Sequence, residues 1–384
     1  MRQVARDIVI PFAVSRLVLV LVAWMAMSLF KHTAVPGTWE FNRAGVGVEV
    51  PTHVSPTVLP FTNMWSRWDA GWYLDIAQHG YKFTVGTRSN RAFFPVYPML
   101  MRAARVILHS RTPATWCRSG ILVSNAALLV TLLYVFALAK HEFDEATARR
   151  AVLYLLVFPT TFFFSAVYSE SVFLALTVAA FYHARKGQWW LAGALACFAT
   201  LSRPPGVVIA VALGTEYLLQ CGGDWRRVRA NAMAVFFAPI ALLGFLSFLR
   251  YTEGSATSIV QAQGAWGLHL QMPWRTLAPF FHRGMEIRGT VIDLGFTVFF
   301  AALTVATAFR LRLSYVTFAF AYLVFITLWG SLESMPRYGL GLFPALLLLA
   351  LWGRNEVFDR IYVPFSAALA ALLMAAFAVW EWVA

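Results

Sequence analysis

The stretch W-S-R-W-D-A-G-W-Y-L-D-I-A-Q-H-G-Y, Trp65 to Tyr81, sets two Asp, one His and one Arg among three Trp and two Tyr. Almost everything around it is apolar. Over 384 residues the chain is 60% hydrophobic and only 13% charged, with mean hydropathy +0.65. A soluble domain carries roughly 25% charged residues. Apolar runs near 20 residues recur from end to end, which predicts a polytopic helical membrane protein. Outer-membrane strands would alternate apolar and polar positions, and no such alternation is present. The polar, aromatic Trp65–Tyr81 stretch therefore reads as a functional island in an all-α bundle.

Working outward, the apolar runs give eleven candidate spans. They lie at about 8–30, 118–139, 149–168, 170–184, 188–202, 205–220, 232–251, 290–309, 313–330, 338–352 and 361–382. The run from Ile8 to Phe30 is too long for a signal-peptide core and is read as a retained first span. Several others hold only about 15 residues, as helices do when they break around polar backbone inside a protein. Pro159, Pro204 and Pro205 stand where such breaks belong. No repeat is evident, so residues 1–384 are read as one transmembrane domain.

With the N-terminus cytoplasmic, short inner loops collect Lys140, Arg149, Arg150, Arg185, Lys186, Arg226, Arg227, Arg229, Arg310, Arg312, Arg354 and Arg360. The short outer turns hold only Arg203 and Arg337, a strong positive-inside bias. Two long segments, 31–118 and 252–289, then face outward, and the first is expected to carry interfacial helices. Arg67, Lys82, Arg88, Arg91, Arg102 and Arg105 make the first basic, and Arg275, Arg283 and Arg288 the second. Such charge suits phosphate or lipid headgroups; contact with headgroups alone is the plainer alternative. Nothing in the pattern points to nucleic acid. Cys117, Cys197 and Cys221 match no metal or redox spacing and are assigned to packing.

Residues Ala70 to His79 read as a short helix, with Asp69 as N-cap and Gly80 as C-terminal stop. Trp65, Trp72, Ile76 and His79 share one side, as in an element lying flat at the membrane surface. Asp69 and Asp75 sit about 120° apart around such a helix and about 9 Å along it, so they form no close pair unless another segment contributes. In the plain structural reading Asp69 only caps the helix and the indoles form an interfacial belt. In the functional one, a free carboxylate oxygen faces a cavity. Asp293 opens an apolar run, where an unpaired charge at mid-bilayer costs about 2.5–3.5 kcal/mol.

More polar islands fall on the same side. They are F-F-P-V-Y-P from Phe93, F-P-T-T-F-F-F-S-A-V-Y-S-E-S from Phe158, S-R-P-P from Ser202 and S-M-P-R-Y-G from Ser334. These bring Tyr168, Ser169, Glu170, Arg203, Arg337 and Tyr338 to turns. Each arginine is either a snorkelling anchor or a ligand contact.

The ordered set W-D-A-x-W-Y-x-x-I-A-x-x-G-Y, F-F-P-V-Y-P, F-F-F-S-A-V-Y-S-E-S, S-R-P-P and P-R-Y-G, from Trp65 to Phe343, resembles the PIG-V-like mannosyltransferases, bacterial members included. Where eukaryotic members carry W-D-A-x-H-Y, this chain has Trp72. The resemblance implies a GT-C membrane glycosyltransferase. It implies a sugar, mannose, taken from a polyprenyl phosphate on the non-cytoplasmic face of a bacterial plasma membrane. Asp69 matches the acidic loop residue assigned as base.

The residues agree with that chemistry. No D-x-D motif is present, so no metal clamp is indicated, although Asp69 with Asp75 or Asp293 leaves room for a divalent ion. As the resemblance implies, Asp69 is expected to accept the acceptor hydroxyl's proton in a single inverting displacement. Arg337, Arg203 and Tyr338 are candidates for the donor phosphate. Trp68, Trp72 and Tyr73 are candidates for sugar stacking or prenyl contact, and Asp75, His79, Tyr168 and Glu170 for substrate contact. Both His79 and Glu170 also fit purely local roles. The acceptor is left open as glycolipid, glycan or protein. A lipid-linked-sugar flippase is the alternative, and an inert scaffold leaves the polar loop without a motive.

Overall fold

A computed structural model describes residues 2–30, 60–81, 89–109, 113–253, 258–264, 267–282 and 288–383. Lys82, Arg88 and Arg283 lie outside them. Every regular element among the described residues is helical. One buried apolar cluster runs from Ile8 to Val383 and joins both ends of the chain.

Eleven full spans are not what the helix lengths give. Among the described residues four helices are long and apolar enough to cross a bilayer: Ala5–Leu29, Ala114–Glu142, Ala230–Thr252 and Glu356–Ala378. A fifth crossing is available if Met335–Gly341 and Phe343–Trp352, bent by 82°, count as one. The other apolar runs stop short where the backbone turns polar. Glu145–Val157 ends just before Pro159, and Trp189–Ser202 ends at the Arg203–Pro204 step. Proline removes a helical N–H and drives the preceding residue extended, as Arg203 is at φ −155° and ψ 142°.

Two features of the outer segment depart from the flat, surface-lying picture. The Ala70–His79 helix is buried from Ala70 to Ala77, inside the protein rather than on it. The element with a surface-lying face is Val96–Ile107, which exposes Met99, Leu100, Val106 and Ile107 and buries Tyr97, Met101 and Ala104. Two arginines of this segment also turn inward. Arg67 and Arg91 are fully buried, and Arg102 donates to the Ile76 and Ala77 carbonyls, closing the end of the 70–79 helix.

Ion pairs separate the two ends of the bundle. Arg149 with Asp7, Arg185 with Glu142 and Glu216, Arg312 with Glu216, and Arg354 with Asp144 stitch together loops of one end. The helix Glu170–Arg185 carries Arg185 there and Glu170 at its other end, about 22 Å away at 1.5 Å per residue. The polar islands read from sequence assemble around Glu170.

Candidate active site

The site begins with a departure from the expected cap. Asp69 precedes the 70–79 helix, but its backbone is already helical at φ −61° and ψ −14°, and its side chain makes no capping bond. A capping residue normally adopts extended dihedrals so that its oxygen folds back onto the helix. Here the first N–H groups are taken by backbone turns: Ala70 donates to Arg67, Gly71 to Trp68 and Trp72 to Asp69. The carboxylate is left to point elsewhere. At the far end Gly80, at φ 81°, supplies the expected stop.

Asp69 Oδ2 accepts from Arg337 at 2.6 Å, across 268 positions of sequence. Arg337 Nε lies 3.4 Å from Glu170, and Glu170 in turn pairs with Arg203. Two acids and two arginines from four segments thus form one electrically balanced cluster. Glu170, Arg203 and Arg337 are buried, while the Asp69 side chain keeps 13% of its surface. Charges this deep need partners, because an unpaired one costs several kcal/mol.

Each member is held from behind. The Tyr168 hydroxyl accepts from Asp69 N–H at 3.1 Å and donates to the Arg67 carbonyl at 3.0 Å. Glu170 opens its helix, where the helix dipole favours an acid, and Arg203 closes the 189–202 helix, where it favours a base. The turn bearing Arg337 is fixed three ways. Thr160 donates to the Pro336 carbonyl, Tyr322 donates to that of Tyr338, and the Asp293 carboxylate faces the backbone N–H groups of Ser334 and Met335. Gly339 lies against Phe300, so closely that a Cβ would fall 1.8 Å from the ring. Tyr73 shares a 2.7 Å hydrogen bond with Ser169. Burial, with the Glu170 carboxylate nearby, pushes the Tyr73 phenol up, so it stays protonated.

The cluster forms the floor of a cavity of about 360 Å³. Asp69, Glu170, Arg203, Arg337, Tyr338, Trp68, Trp72 and Tyr73 line it. Tyr168 stands behind the lining. Asp75 and His79 lie outside it: Asp75 bonds to His79 at 3.0 Å and to Asn90 at 2.7 Å, a local clamp on the loop. Among the described residues no group of three His, Cys, Asp or Glu converges to hold a metal ion. Neither Asp75 nor Asp293 joins Asp69 in the lining.

Sequence reasoning missed Trp380 and Trp382, which line the cavity from beyond the 356–378 helix. They were hidden inside an apolar run read as span to residue 382. Their signal was the W-x-W spacing at its end, an interfacial pattern. Phe93 also lines the cavity, stacked 5.9 Å from Trp72.

The family model for "Mannosyltransferase (PIG-V)" matches residues 6–252, well over half of the 384. The chain belongs to the PIG-V mannosyltransferase family. The match takes in Asp69, Glu170 and Arg203 but stops before Arg337, Trp380 and Trp382. The chain is 30% identical over 216 residues to GPI alpha-1,6-mannosyltransferase 2 of Mus musculus, covering 50% of this chain and 42% of that protein. It is 28% identical over 202 residues to GPI mannosyltransferase 2 of Cryptococcus neoformans, covering 49% and 46%. The chain therefore spans less than half the length of these curated relatives. Among solved structures it is similar to ArnT from Cupriavidus metallidurans bound to undecaprenyl phosphate. That TM-score is 0.51 at 14% identity, over 90% of this chain and 77% of the other. At this identity the likeness shows a shared fold.

Proposed function

We propose that the protein transfers a hexose, mannose by family, from a polyprenyl-phosphate donor to an acceptor hydroxyl. The reaction takes place at the non-cytoplasmic face and inverts the anomeric centre. The observation that carries this reading is the direct pairing of Asp69 with Arg337 in the lining of a cavity. It sets a proton acceptor beside a fixed cation, the two groups that such a displacement needs.

The donor phosphate takes the guanidinium groups of Arg337 and Arg203, and Asp69 is released from its pair. The acceptor O–H gives its proton to the Asp69 carboxylate as its oxygen attacks the anomeric carbon. The bond to the phosphate oxygen breaks on the opposite face, and the arginines take up the charge that develops on it. Trp72 and Tyr73 bound the space beside the reacting centre, and Tyr168 keeps Asp69 in register through its backbone. Sidedness rests on the concentration of loop arginines at the other end of the bundle. A flippase needs no proton acceptor beside its phosphate site, so the pair favours transfer over transport.

The test is an assay of purified protein with polyprenyl phosphates carrying different hexoses, and membrane-lipid extract as acceptor, read by mass spectrometry. A hexose moving from lipid phosphate to acceptor with inverted configuration is expected. Turnover with nucleotide sugars alone, or translocation across liposomes without a glycosidic product, overturns the proposal.

A further inference from the structure

Beyond Asp69 and the arginines, one wall of the cavity has no part in the mechanism above. Trp68 meets Trp382 edge-on at 5.2 Å between centroids and Trp380 edge-on at 5.7 Å. Trp68 lies more than 300 residues before Trp380 and Trp382 in the chain, and all three indoles line the cavity. The indole N–H groups of Trp68 and Trp382 are buried and have no acceptor. Trp382 also lies under the Arg337 guanidinium, 6.0 Å from Cζ to ring centroid.

The backbone is bent to bring them there. The 356–378 helix ends in a reversal in which Trp380 donates to Phe377 and Glu381 donates to Ala376. That pattern calls for a left-handed residue, usually glycine, at the position Trp380 fills with φ 70°. Trp68 is left-handed too, at φ 50°, as is Ser334 at φ 72°. Four non-glycine residues among those described have positive φ, and three of them line this cavity. Bulky side chains hold such backbone only where surrounding packing enforces it, and such outliers cluster at binding sites.

We infer that Trp68, Trp380 and Trp382 form the subsite for the sugar ring of the donor, a pyranose stacked on indole faces and accepting hydrogen bonds from their N–H groups. The inference rests on the lipid-phosphate donor proposed above. A hexose joined directly to a phosphate on Arg337 falls beside Trp382, the indole that touches that arginine. Pyranose C–H faces are apolar and its hydroxyls accept hydrogen bonds, which matches aromatic faces flanked by unpaired donors. The rings pack on one another in the empty cavity, and the sugar takes the place of those contacts.

The test measures binding of two probes, polyprenyl phosphate and polyprenyl-phosphate mannose, to the full chain in nanodiscs. Trp382→Ala should weaken the mannosyl lipid about tenfold and leave bare polyprenyl phosphate within about twofold. Trp382→Phe keeps a stacking face and loses only the N–H, so about a threefold loss is expected, with an unchanged melting temperature showing that the fold persists. Equal losses for both lipids make these rings mere support for Arg337 and overturn the inference, as does a loss confined to acceptor KM. If the wild type prefers the mannosyl lipid and the variants keep that preference, the subsite fails while the donor reading stands. If the wild type binds neither lipid, both fail.

Discussion

Replacing Asp69 with Asn separates its two roles. In the resting protein the cluster holds Asp69 and Glu170 against Arg203 and Arg337, summing to zero; Asp69→Asn leaves a net +1. The side-chain shape is kept, but the proton acceptor is gone. General-base assistance contributes roughly 10²–10⁴ in rate, about 3–5 kcal/mol of barrier, and turnover should fall by that factor. Donor binding should move the other way. At 2.6 Å the Asp69 carboxylate occupies Arg337, and any incoming phosphate displaces it. Charge attraction at such range is worth about 6 kcal/mol at an effective dielectric of 20, most of it offset by solvation of the freed groups. A net gain on the order of 1 kcal/mol is expected, about fivefold tighter binding of polyprenyl phosphate. The assay pairs single-turnover transfer with equilibrium binding of the lipid phosphate on the same preparation. Near-normal turnover removes Asp69 from the chemistry. Turnover and donor affinity falling together refute the idea that Asp69 and the phosphate compete for one guanidinium.

Two further substitutions test neighbouring parts. Arg337→Gln should raise the donor KM by 10-fold or more, on the order of 1.5–3 kcal/mol for a lost charge-assisted contact, and leave acceptor KM nearly unchanged; equal losses for both contradict the assignment. Asp75→Asn weakens the clamp to His79 and Asn90, so it should lower the melting temperature, at about 1–3 kcal/mol, while the folded fraction keeps its turnover; a selective loss of turnover would make Asp75 a substrate contact after all.

Much of this was legible because local rules left strong marks. Apolar runs and prolines located the helices and their breaks, and the 70–79 helix spans the residues expected, stopping at Gly80. Arg203 and Arg337 stood out as the only basic residues of short outer turns, and Glu170 as an acid at a third turn on the same side. The geometry joining them was not legible. Nothing in Asp69's neighbourhood tells that backbone turns take over the capping, which frees its carboxylate to cross to residue 337. Burial of the 70–79 helix was also missed, since three-residue spacing of aromatics fits a membrane surface and a protein interior equally well. Trp380 was invisible as a chain reversal because the residue expected there is glycine.

The Asp69–Arg337 pair also bears on how the cycle ends. In the proposed reaction the donor is a phosphodiester with one negative charge, and the spent lipid a monoester carrying nearly two at neutral pH. On that proposal the guanidinium groups would grip the product harder than the substrate. Once Asp69 sheds the proton that the proposed reaction gives it, it would become a rival anion, 2.6 Å from the same nitrogen when paired. On the proposed function its return would eject the spent carrier, so that a single carboxylate would both start the displacement and clear the seat for the next lipid.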